Sequence, residues 1–153
     1  MTSGFDKRNS NEGAAPVGQP LRALRVKVRP DRIEVELAVS SKRYAETDEP
    51  LIERCLESYP SLAHHACRNE VGPVFASVMK RTSTPHLLEH LIIDGQTRLA
   101  KDADRVFTGT TQWAAGGGLV ARVAFSYEDD LVALQVLNQS LAFLNHVLIA
   151  LRA

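Results

Sequence analysis

Two histidines and a glutamate fall within five residues of one another, His86, Glu89 and His90 in "HLLEH". These are residue types that bind and operate a hydrolytic metal. On a helix, where each residue turns the chain by about 100°, His86 and His90 project one turn apart on one side and Glu89 shares that side. Two imidazoles so placed suit Zn(II), which in a catalytic site takes three protein ligands and keeps a fourth position for water. The metal lowers the pKa of that water, and a neighbouring carboxylate takes the proton as general base. The order H-x-x-E-H is that of the inverzincins, the reverse of H-E-x-x-H. The competing reading is the solvated polar side of an ordinary helix, and three fixed positions in five residues do not decide between the two. Leu87, Leu88, Leu91, Ile92 and Leu99 fall on the opposite side. The expectation is a helix anchored by that apolar side, with the triad turned to a cleft or to solvent.

A catalytic zinc needs a third ligand, and "SYEDD" offers Glu128, Asp129 and Asp130 downstream. Glu128 is taken as that ligand. The alternative role of this acidic cluster is to cap and charge a helix N-terminus. A second group, His64, His65 and Cys67 in "AHHACRNE", lacks the spacing of a zinc knuckle, and loop packing or substrate contact is its expected role. "AAGGG" lacks the Lys-Ser/Thr end of a phosphate loop and reads as a hinge or turn. His146 stands alone in a helical pattern, structural or solvated.

The elements that must position these residues follow from periodicity. Residues 1–20 are rich in Gly, Ser, Asn, Pro and charge, and read as a disordered tail before a single domain over 21–153. "LRALRVKV" and "RIEVELAV" alternate apolar and polar side chains around a Pro30-Asp31 turn, as a strand hairpin does. "EPLIERCLES" has Leu51, Ile52, Cys55 and Leu56 at helical spacing, which places Cys55 in the core. "EVGPVFASVMKR" puts Val71, Val74, Phe75, Val78 and Met79 on one stripe, predicting a second helix. A third opens with Thr84 as N-cap and Pro85 at the first helical position, and runs to about Ala103. "DRVFTGTTQW" and "LVARVAFSY" predict a second hairpin. From Asp130 leucines recur every three or four residues in a long amphipathic helix. The order is ββααα-ββα, an α+β fold with two strand pairs forming an antiparallel or mixed sheet and helices packed on it.

At 153 residues the chain suits one domain, and 18 basic residues against 18 acidic ones leave no bias toward nucleic acid or an anionic membrane. The first residues hold no apolar signal core, and no uninterrupted apolar run of about 18 residues marks a membrane span. A cytoplasmic location is expected, with Cys55 and Cys67 both reduced. The leucine stripe of the last helix could be buried within the domain or across a homo-oligomer.

Taken together, "YPSLAHHACRNEVGPVFASVMKRTSTPHLLEHLIIDGQT", "VFTGTTQW" and "ARVAFSYEDDLVALQ" resemble the N-terminal domain of cyanophycin synthetases. That domain has a proline-led segment ending in a His-rich H-x-C and a Gly-containing helix. A G-T-x-x-G-H-x-x-E-H helix, a G-R-T-R stretch and a strand ending in tyrosine and acidic residues follow. The resemblance spans roughly Leu21 to Leu151. The two ATP-dependent ligase regions of those synthetases have no counterpart in the chain, so the resemblance does not imply polymer synthesis. It implies docking of a polymer with an aspartate backbone and arginine side chains. In members that retain H-x-x-E-H, it also implies slow metal-dependent peptide cleavage resembling that of pitrilysin-type metallopeptidases. By the resemblance His86 and His90 would bind the metal, Glu89 would be the base and Glu128 the third ligand. Pro85 replaces the family's glycine, and G-R-T-R becomes "GTTQ", with Thr110 and Gln112 in place of both arginines. Gly95 lies in mid-helix at a cost of about 1 kcal/mol relative to Ala. The expected function is a zinc-dependent peptidase-like domain acting on cyanophycin or a related peptide. The alternative is a catalytically silent module that binds the polymer or a partner ligase.

Overall fold

The computed structural model describes residues 18–67 and 72–152. Residues 1–17 of the expected tail, and Val71 of the expected second helix, lie outside the described residues. Strand β1 (Leu21–Val28) turns back through Arg29–Arg32, where the Arg29 N–H donates to the Arg32 carbonyl at 2.8 Å, into β2 (Ile33–Val39). β3 (Gly109–Trp113) and β4 (Val120–Phe125) form the second hairpin. Its loop runs through Gly116 and Gly117 at φ 108° and 75°, the left-handed region in which a side chain is strained. The "AAGGG" stretch is therefore a turn. β2 and β4 pair antiparallel and complete a four-stranded sheet in the order β1-β2-β4-β3.

Alternation sets the two faces of the sheet. Ile33, Val35, Leu37 and Val39 of β2, with Ala121, Val123 and Phe125 of β4, are buried beneath the helices. Their neighbours Glu34, Glu36 and Arg122 belong to the open face. Helix α1 (Glu49–Ser58) is capped by Asp48, whose side chain accepts from the Leu51 N–H, and buries Leu51, Ile52 and Cys55. Burial pushes the Cys55 thiol up to about 12, so it stays protonated as a small core side chain. Helix α2 (Thr84–Leu99) packs across the sheet, and α3 (Asp130–Arg152) packs against α2. Leu137, Leu144 and Leu148 of the C-terminal stripe are buried within the domain, whereas Leu131 is 74% exposed. By length and composition α3 could cross a membrane, but its buried side is part of this core.

The α+β class holds, with four corrections. The expected helix around Phe75 is a 3-10 turn, Phe75–Ser77, because the neighbouring backbone bonds another segment instead. The Phe75 N–H donates to the His65 carbonyl at 2.8 Å, and the Cys67 N–H to the Pro73 carbonyl at 3.0 Å. The N-cap of α2 is Ser83 rather than Thr84, and that helix ends at Leu99 rather than near Ala103. β3 begins at Gly109; the preceding residues are mostly exposed, Val106 by 77%. Residues 18–20, assigned to the tail, are ordered: Pro20 is buried and its carbonyl accepts from the Ser40 N–H.

Candidate metal centre

The start of α2 is held from several directions. The Ser83 hydroxyl accepts from the His86 N–H at 3.1 Å. The Thr84 hydroxyl donates to the Tyr44 carbonyl at 2.7 Å, and the Thr82 N–H to the Thr47 hydroxyl at 2.9 Å. Pro85 lies in the first turn, where its missing N–H leaves no helical bond unmade. The two histidines are thereby fixed relative to the rest of the fold.

Leu87, Leu88, Leu91 and Ile92 are fully buried as expected, but Leu99 is 54% exposed and the polar side is itself covered. Glu89 is 4% and His90 2% exposed. Of the two expected surroundings, a cleft or solvent, open solvent is corrected here for Glu89 and His90, while His86 is partly buried. The 60–67 segment, the Phe75 turn and β3 close over that side of the helix. Phe75 stacks on His90 with ring centroids 3.9 Å apart and meets the His86 ring edge-on at 5.1 Å.

This cover brings a third donor to the histidines. Cys67 Sγ lies 3.4 Å from His86 Nε2, and ligand atoms of Cys67, His86 and His90 all fall within 4.8 Å of one another. Tetrahedral zinc with bonds of about 2.0–2.3 Å separates its ligand atoms by about 3.3–3.8 Å. The Cys67–His86 separation falls in that range, and the nitrogen and sulfur donor set suits Zn(II). His90 Nε2 is buried and has no hydrogen-bond partner, an atom whose desolvation a metal bond would offset. Burial, with His86 and His65 nearby, pushes His90 down to about 3, and burial also lowers His86. Both rings are therefore neutral near pH 7, as metal ligation requires.

Glu89 lies beside this group, its Oε2 3.8 Å from His90 Nε2, while the Thr111 hydroxyl donates to Oε1 at 2.6 Å. Burial raises the carboxyl to about 7, offset in part by the Thr111 hydrogen bond and by His65. Gly109 permits the approach of β3: a Cβ there would lie 2.8 Å from Glu89 Cγ and 3.0 Å from the Ala124 carbonyl oxygen.

Glu128 is not brought to the histidines. Its carboxylate accepts from the Lys101 N–H at 2.9 Å and from the Asp102 N–H at 3.4 Å, just beyond the far end of α2. The helix rise of 1.5 Å per residue puts that end about 20 Å along the axis from His86. Asp129 accepts from the Val132 N–H at 3.1 Å, the capping role weighed for the acidic cluster. His64 and His146 are exposed, whereas His65 turns inward toward His90. Spacing along the chain gives Cys67 little weight and does not single out Thr111 or Asp94. Strand alternation carries the signal for Thr111, because Gly109 and Thr111 share the side of β3 that faces α2.

The family model described as the cyanophycin synthase-like N-terminal domain matches residues 32–149. No curated protein matches the chain.

Proposed function

Because the chain belongs to the family of cyanophycin synthase-like N-terminal domains, we propose that it is the hydrolytic domain of a cyanophycin-type system, a zinc-dependent peptidase-like unit cleaving cyanophycin or a related peptide. The observation that carries this reading is the buried Glu89 carboxyl, raised to about 7 beside a Cys67, His86 and His90 donor group. Cys67, His86 and His90 would hold the metal, with Cys67 in the place first given to Glu128. When bound, Zn(II) supplies a Lewis acid that lowers the pKa of a coordinated water toward 7.

Glu89 is the general base of this scheme. Thr111 fixes Oε1, so Oε2, on the side of His90, is the oxygen that takes the proton. A carboxyl raised toward neutrality is a stronger base than an ordinary glutamate and can return the proton to a leaving amine. Phe75 holds both imidazoles in place and keeps water from their faces. The test is hydrolysis of cyanophycin and a peptide panel by zinc-loaded protein purified without a histidine tag. Activity should vanish in Glu89→Gln while zinc remains bound; an inactive wild type with zinc in place would sink the reading.

A second reading, a silent polymer-binding module, is favoured by the open face of the sheet. A groove of about 470 Å³ there is lined by Arg25, Lys27, Arg29, Arg32 and Arg122 against Glu34 and Glu36. Arg29 and Arg32 pair with Glu34, while Arg25, Lys27 and Arg122 have no ion-pair partner among the described residues. Thr110 and Gln112, which replace the arginines of G-R-T-R, line the same groove. This reading predicts polymer binding that survives chelation and weakens in Arg25→Glu and Arg122→Glu. It does not rely on the polar side of α2, which is buried.

A further inference from the structure

Beneath the donor group lies a second chain of polar side chains that the proposed hydrolysis does not use. Asp94, two turns along α2 from Leu87, is 2% exposed, and among the described residues its carboxylate oxygens are met by Ser61, His65 and Arg98. The Ser61 hydroxyl donates to Oδ1, His65 Nε2 lies 3.2 Å from the same oxygen, and Arg98 Nε lies 2.9 Å from Oδ2. The other nitrogen of the His65 ring, Nδ1, lies 3.1 Å from His90 Nδ1. Asp94, His65 and His90 thus form a continuous line that ends on a ring whose remaining nitrogen, Nε2, has no hydrogen-bond partner among the described residues.

We infer that His65, oriented by Asp94, is a positioning residue that fixes His90 in its Nδ1–H tautomer and so leaves the Nε2 lone pair directed at the donor group. The metal consequence rests on the reading under Proposed function. An ionised carboxylate only accepts hydrogen bonds, so the His65 nitrogen facing it must carry the proton. A neutral imidazole has one N–H, so His65 Nδ1 presents a lone pair to His90. Two ring nitrogens 3.1 Å apart need one proton between them, and His90 Nδ1 is left to supply it. Its Nε2 is then a lone pair, the form in which imidazole is a metal ligand.

His86 has no such directional partner. Its Nδ1 lies 2.9 Å from the Thr82 hydroxyl, which can donate or accept. The fixed polarity belongs to His90 alone of the two, and it originates at the Asp94 carboxylate on the far side of His65. Ligating histidines are generally braced by an acceptor on the far nitrogen; here the acceptor is a second histidine, itself braced by an aspartate.

Long-range proton–nitrogen spectra of the metal-free, nitrogen-15 histidine-labelled full chain near pH 7.5 test the relay without any metal. His65 should be the Nε2–H tautomer and His90 the Nδ1–H tautomer; finding His90 as Nε2–H, or His65 as Nδ1–H, overturns the inference. Competition titration of Zn(II) against a chelator adds the second arm. His65→Phe should weaken zinc about 10–100-fold, as loss of such a brace does. His65→Gln, whose amide oxygen can accept from His90 Nδ1–H, should recover much of the loss. Wild-type affinity in a folded His65→Phe protein overturns the inference, and if that variant does not fold the wild-type spectrum decides alone. A wild type with the expected tautomers that takes up no zinc would support the relay and sink the metal reading, so the two fail separately.

Discussion

Glu89 carries the electrostatic consequence on α2 that bears on stability near neutral pH. Its carboxyl is raised from the ordinary 4.5 to about 7. Between those two values the folded chain holds a proton that the unfolded chain has released, so stability falls as pH rises through that window. Once the pH passes 7 the penalty is present in full, about 3 kcal/mol, because a tenfold change in proton affinity corresponds to about 1.36 kcal/mol. In chelated protein, Glu89→Gln should therefore be the more stable form at pH 7–8 and equal to wild type near pH 4, as urea unfolding midpoints across that range will show. Cys67 and Glu128 separate at the same scale. On the proposed zinc reading Cys67→Ser should cost most of the metal, whereas Glu128→Gln should leave zinc content unchanged in metal analysis, since among the described residues that carboxylate bonds the backbone beyond α2. Thr111→Val should lower turnover by removing the bond that orients Glu89, with zinc retained.

At the scale of elements, the glycine in the middle of α2 is explained by its neighbour. A Cβ at Gly95 would lie 2.6 Å from Val136 Cγ1 of α3, so a larger residue there requires Val136 or the helix to shift. Helix propensity favours alanine there by about 1 kcal/mol. Overpacking of a buried contact costs about 1–3 kcal/mol and should win. Gly95→Ala is thus expected to lower the thermal midpoint, and a variant more stable than wild type would show that α3 can yield. Helix α2 was legible in the sequence from its leucines and Pro85. Its end was not, because Leu99 and Ala100 continue a helical pattern that the Glu128 bonds to Lys101 and Asp102 terminate.

For the whole molecule, a buried polar clasp joins the edge strand to the last helix. The Leu21 N–H donates to Asn145 Oδ1 at 2.8 Å, and Asn145 Nδ2 donates to the Leu21 carbonyl at 2.9 Å. Both bonds are buried, so Asn145→Ala leaves two backbone groups unsatisfied, at about 1–3 kcal/mol each. The expected result is a lower unfolding free energy, with β1 amides exchanging faster than those of β2 and β4 in hydrogen exchange. Uniform acceleration across the sheet would show that β1 does not open separately. Leu137, Leu144 and Leu148 of the α3 core were readable from leucine spacing, yet Asn145 was not, because its partner is the backbone of a residue 124 positions away.

Local pattern determined what local physics controls. Alternation and helical spacing specified both hairpins, α1, α2 and α3, and helical phase placed His86, Glu89 and His90 on one side of a helix. The chain order of its motifs pointed to the family. Tertiary structure alone decided what lies against that side, because a helix does not encode its own cover. Packing of the 60–67 segment brought Cys67 and His65 to the histidines, β3 brought Thr111 to Glu89, and the sequence neighbour of the last helix, Glu128, went to the other end. Burial then did what spacing could not, keeping both imidazoles neutral and lifting one carboxyl to about 7.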